Sequence, residues 1–300
     1  MKSIFLKFVS YVLIGLLVVV GLWMQKITTR FQTSDIYGTD SSSQNQLNPS
    51  EVLFSHTSSK QSETPTFTVV YTPAKTQRGK EIQGLLQRTQ TYEQLTRSLN
   101  QVLFLPVPLT VNQAECGMAN AFYSPADRQI IMCYELTDHF LNFYASRTGP
   151  NVPPTEISTV GALSFIFLHE LGHAVVDVLD VPILGREEDA VDRFATTILS
   201  KTAIGHVAAQ AAAIWFEAGA RQQDYRNIPY WNEHSLNIQR FFDIVCLLYG
   251  SSPQTYADLM QRLNISERRA MRCQKEYAEV WENWMKILGP HVRPLPETLF

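Results

Sequence analysis

The run from Phe165 to Asp177 reads FIFLHELGHAVVD, and it constrains the fold more than any other stretch of this chain. Its apolar density is that of a helix in the centre of a domain. Yet two histidines and a glutamate interrupt it. Buried bare, such groups cost free energy unless they are paired or bind a cation. On an α-helix, residues four apart lie one above the other. His169 and His173 therefore present two imidazoles to one point, with Glu170 alongside. This is the helical His-Glu-x-x-His arrangement, in which two histidines hold zinc and the glutamate acts as general base. The plainer alternative is a core helix whose histidines only hydrogen-bond with neighbours.

A catalytic zinc site takes a third protein ligand and keeps one position open. Glu188 and Asp192, four apart in the next helical segment, share a face. Glu188 is the expected third ligand, and Asp192 the partner that orients a ligand histidine. Asp192 as the ligand is the alternative. Glu187 and Asp189 read as acids favoured at the positive end of a helix dipole. Asp177 lies one turn past His173, placed either to hydrogen-bond within the site or to end the helix in solvent. His234 is the candidate donor to a developing oxyanion, and Arg240 a candidate partner for a carboxylate of the site.

Residues 8–25 contain no charged side chain, and they follow Lys2 and Lys7. As a helix they would span about 27 Å, near the thickness of a bilayer's hydrocarbon core. No Ala-x-Ala-like cleavage site follows, so residues 1–30 read as an uncleaved signal anchor, with a cleaved signal peptide as the alternative. Residues 31–64 are rich in Ser, Thr, Gln and Asn and read as a flexible linker. Residues 65–300 form the expected domain. The chain has 4 cysteines, all outside the anchor. An even count beside an export signal favours two disulfides and a periplasmic or other extracytoplasmic setting. Cys116–Cys133 and Cys246–Cys273 are the expected pairs, because each brackets one local unit; four buried thiols are the alternative. Net charge is −3 with no long basic block, so no nucleic-acid partner is expected.

Apolar spacing predicts strands at Phe67–Tyr71 and Leu109–Val111, and one helix over Gly79–Leu103. A hairpin is predicted from Ala119–Tyr123 and Gln129–Tyr134, whose first strand is a candidate edge for an extended peptide. Helices are predicted at Leu136–Ser146, through the motif, and over Glu187–Ser200, Val207–Ala220, Leu236–Tyr249, Pro253–Leu263 and Glu267–Leu288. The class is α+β, helix-dominated, with a small N-terminal sheet, preceded by one transmembrane helix.

His169-Glu-Leu-Gly-His-Ala-Val-Val-Asp177 followed by Glu188-x-x-x-Asp192 resembles the gluzincin metallopeptidases, thermolysin among them, although the loop between the two motifs is shorter than in thermolysin. A wider resemblance, over most of residues 65–295, is to a bacterial family of metallopeptidase-like proteins. It is carried by Cys116, Asn120–Tyr123, Cys133–Glu135, the motif helix, Gly185–Ala190, His234, Gln239–Phe241, Cys246 and Tyr249–Gly250. It implies a zincin-like fold, a Zn2+ cofactor and a peptide or protein substrate. The expectation is a membrane-anchored extracytoplasmic zinc peptidase held in the membrane by residues 8–25. The alternative is a non-catalytic, zinc-containing envelope scaffold.

Overall fold

The computed structural model describes residues 66–147, 153–224, 226–228 and 230–293. The expected anchor (1–30) and linker (31–64) lie outside these.

Four strands form one mixed sheet in the order β1-β2-β4-β3. They are β1 (Phe67–Tyr71), β2 (Leu109–Ala114), β3 (Ala121–Ser124) and β4 (Gln129–Cys133). β1, β2 and β4 run parallel, while β3 returns antiparallel to β4 as an edge strand. Helices α1 (Gln77–Thr89) and α2 (Thr91–Val102) connect β1 to β2. The spacing predicts one helix there; instead Gln90 adopts φ +51°, a left-handed conformation that no α-helix continues through. β2 extends past the predicted Val111 to Ala114. It lies between β1 and β4, so its polar second half, Asn112-Gln113, is paired on both sides, with Gln113 wholly buried.

Helix α3 (Tyr134–Ala145) follows the sheet directly. The remainder is helical: α4 (Thr155–Val178), α5 (Glu187–Leu199), α6 (Ala203–Arg221), α7 (Asn237–Ser251), α8 (Pro253–Arg262) and α9 (Glu267–Leu288). α4 is the axis of the fold and packs against α3, α5, α6 and the β3–β4 hairpin. It is long and apolar enough to cross a membrane, but most of it is buried inside the domain. It is therefore a core helix, and the class is helix-dominated α+β.

α4 ends at a left-handed residue, Asp180, with the Val181 N–H bonded back to the Val176 carbonyl. This Schellman-type stop turns the chain, so that α5 comes back along α4. The close approach of the two helices depends on Gly172. A Cβ there would lie 2.8 Å from the Cβ of Val191. Two disulfides staple the domain, Cys116–Cys133 beside the hairpin and Cys246–Cys273 between α7 and α9.

Replacing Gly172 with valine is expected to force α5 away from α4, at an overpacking cost of about 1–3 kcal/mol. Chemical denaturation measures that loss, and calorimetry should show weakened divalent-metal binding, because the carboxylates of α5 move with the helix.

Candidate metal centre

His169 and His173 project from one face of α4, where the helical register puts them. The side chains that meet them come from the first turns of α5. Each imidazole uses Nδ1 on a carboxylate: His169 on Asp192 Oδ1 at 2.8 Å, and His173 on Glu187 Oε1 at 2.7 Å. A carboxylate only accepts, so in the neutral, metal-binding form of each ring Nδ1 carries the proton and Nε2 presents its lone pair. Those two Nε2 atoms face each other at 3.3 Å. Glu188 completes the convergence, with Oε2 at 3.1 Å from His169 Nε2 and Oε1 at 3.4 Å from His173 Nε2.

Three electron-rich groups pointed at one spot repel one another unless a cation lies among them. Glu188 Oε2 gives a direct test of that fit. It is buried and has no partner with hydrogen-bond geometry, although imidazole nitrogens stand close by. Two nitrogens and a carboxylate oxygen suit a borderline divalent metal.

Arg240, from α7, grips Asp192 in a two-pronged contact, Nε to Oδ2 at 2.6 Å and Nη2 to Oδ1 at 2.7 Å. Its guanidinium lies over the Phe216 ring. Burial pushes the Asp192 carboxyl up, but the Arg240 charge and the His169 contact outweigh it and bring the group down to about 2. Glu188 sits against the same burial penalty; with no metal bound, contacts from protonated imidazoles hold it far below the usual carboxylate range. Glu170, in contrast, is raised by its burial.

A cleft of about 670 Å³ opens on this cluster, with β3 along one side and Glu170, Glu188 and His234 on its walls. Within the hairpin, the Cys133 N–H bonds to the Asn120 carbonyl. The register then turns the backbone groups of Ala121 and Tyr123 away from β4. The Tyr123 backbone N–H faces the Glu170 carboxylate and slightly offsets the effect of its burial.

The structure thus brings His169, His173, Glu170, Glu188, Asp192, His234 and Arg240 together. Asp177 stands at the cleft but touches neither histidine. Its carboxylate accepts from the Tyr123 hydroxyl at 2.7 Å and pairs with Arg128, tying the hairpin to the end of α4. Glu187 is the residue that sequence reasoning passed over, since an acid in a helix's first turn has a ready explanation in the dipole. The signal available was its spacing, one residue before Glu188.

Removing Arg240 (Arg240→Met) leaves the Asp192 charge buried without its partner, at an expected cost of about 3–5 kcal/mol in urea denaturation. Adding Asp192→Asn should recover part of that loss. A pH effect follows from His169. Burial opposes its protonation, but Asp192 and Glu188 more than offset this and raise it to about 9. A raised histidine stabilises the metal-free fold fully below its ordinary value of 6.5, and that contribution is lost as pH climbs through about 9. The same proton competes with a metal ion. Across that window, thermal melts of the metal-free protein should show falling stability, while calorimetry shows rising metal affinity.

No curated protein and no solved structure gives a significant match to this chain. Residues 71–288 match the sequence model of a family described as "Putative metallopeptidase". The match covers more than half of the chain, which therefore belongs to that metallopeptidase family.

Proposed function

We propose that this protein is a gluzincin-like zinc metallopeptidase, anchored by residues 8–25 and working on the extracytoplasmic side of the membrane. In this reading residues 1–30 are the anchor, 31–64 the linker and 65–300 the zincin-like catalytic domain. One observation carries it: the Nε2 atoms of His169 and His173 and the Glu188 carboxylate converge beside Glu170, on the floor of an open cleft. The disulfides and the family membership support it.

His169, His173 and Glu188 would hold the zinc ion, which supplies Lewis acidity at that point. Asp192 and Glu187 fix the tautomer and tilt of the two imidazoles. An extended peptide runs along β3, using the outward backbone groups of Ala121 and the Tyr123 carbonyl. Glu170 takes a proton from the attacking water and returns it to the leaving amine. Its raised proton affinity, a product of burial, suits both halves of that task. His234 donates to the developing oxyanion once substrate is seated.

The non-catalytic reading, a zinc-holding envelope scaffold, has one observation in its favour. His234 also reaches the Glu188 carboxylate, with Nε2 at 3.0 Å from Oε2. Four protein ligands close a site and make it structural. Such a site has no work for Glu170.

Glu170→Gln decides between them. The variant should bind one zinc ion, as the wild type does, and hydrolyse a broad peptide mixture about 10²–10⁴-fold more slowly. Zinc-loaded wild type that cleaves nothing in the mixture would remove the peptidase reading.

A further inference from the structure

The ligand atoms of a tetrahedral zinc site, each about 2.0–2.1 Å from the ion, lie about 3.3 Å from one another. His169 Nε2 lies 3.3 Å from His173 Nε2 and 3.1 Å from Glu188 Oε2, the edge lengths of such a figure, while His173 Nε2 faces the other Glu188 oxygen, Oε1, at 3.4 Å. The fourth corner is the one that a hydrolytic centre leaves to water. His234 Nε2 is a further nitrogen donor beside Glu188. It is 3.0 Å from Glu188 Oε2, and it shares with His169 and Glu188 a cluster whose ligand atoms all lie within 4.8 Å of one another. Its ring is parallel to that of His169, 10° between planes, with centroids 6.4 Å apart. Glu188 Oε2 lies within reach of both Nε2 atoms.

His234 differs from the other three in how it is held. Side-chain exposure is 5% for His169, 17% for His173 and 15% for Glu188, but 46% for His234. The inner three are fixed on α4 and α5. His234 lies outside any helix and turns its backbone N–H and its Nδ1 to the side chain of Asn232, two residues away. A rotation about its own side-chain bonds takes Nε2 out of the cluster without disturbing the core helices.

We propose that His234 is a displaceable fourth ligand, closing the metal centre in the resting protein and leaving it as substrate enters. This rests on the zinc-peptidase reading, and it reconciles a nearly complete four-ligand shell with a general base in the cleft. The oxyanion role of His234 then belongs to its displaced position.

Cobalt(II) titration of the full chain in detergent reports on the shell independently of turnover. Wild type should give the intense visible absorption of a four-coordinate centre. His234→Ala should bind cobalt at least about tenfold more weakly, a change of the size seen on losing a single supporting group, and its visible bands should shift. His173→Ala, the control, should bind far more weakly still. His234→Gln, which keeps the side chain's bulk, should behave like the alanine variant, and melts of the metal-free proteins establish that both are folded. Matching spectra and affinities for wild type and both His234 variants would overturn the fourth-ligand role while leaving the peptidase reading intact. Wild type that takes up no cobalt or zinc would overturn both.

Discussion

Two imidazoles buried one turn apart cannot aim their lone pairs at each other without a reason. Here the aim is imposed from behind, by a carboxylate on each Nδ1, Asp192 for His169 and Glu187 for His173. Everything else in the centre follows from that. Once both protons are turned outward, the inner face is purely electron-donating, and Glu188 adds a third donor to it. The folded protein has concentrated electron-donating groups at one point of the cleft, and a small divalent cation is the species best able to relieve their repulsion.

That arrangement is anchored at a distance. Asp192 is fully buried, and the Arg240 guanidinium balances its charge. Arg240 is itself sandwiched between Asp192 and the ring of Phe216. Through these contacts α4, α5, α6 and α7 all bear on the orientation of one histidine. The opposite wall is tied separately, by Asp177 holding Tyr123 and Arg128 while the Tyr123 N–H meets Glu170. Glu170 and the histidine pair thus answer to two different sets of supports.

Much of this was legible in the chain because it is local. The four-residue spacing of His169 and His173, and of Glu188 and Asp192, needs only the geometry of a helix. The hairpin was marked by its turn residues, and the cysteine pairs by the units they bracket. What escaped was non-local or had a competing local explanation. Glu187 looked like helix-dipole chemistry. The tie between Asp177 and Arg128 joins residues far apart in sequence. The break at Gln90 turns on one left-handed residue inside otherwise continuous apolar spacing, and the second half of β2 is polar because strands on both sides, not apolar burial alone, hold it in place.

Gly172 deserves a different emphasis from the ligands around it. In the five-residue motif it occupies a position written as arbitrary, yet the helix surface there is pared to the backbone so that Val191 can rest against it. The two histidines specify where a metal can go; the missing side chain specifies how near the neighbouring helix can bring its carboxylate. Grafting His-Glu-x-x-His onto another helix would therefore transfer two ligands and a base, but not a centre. The graft would also need the notch.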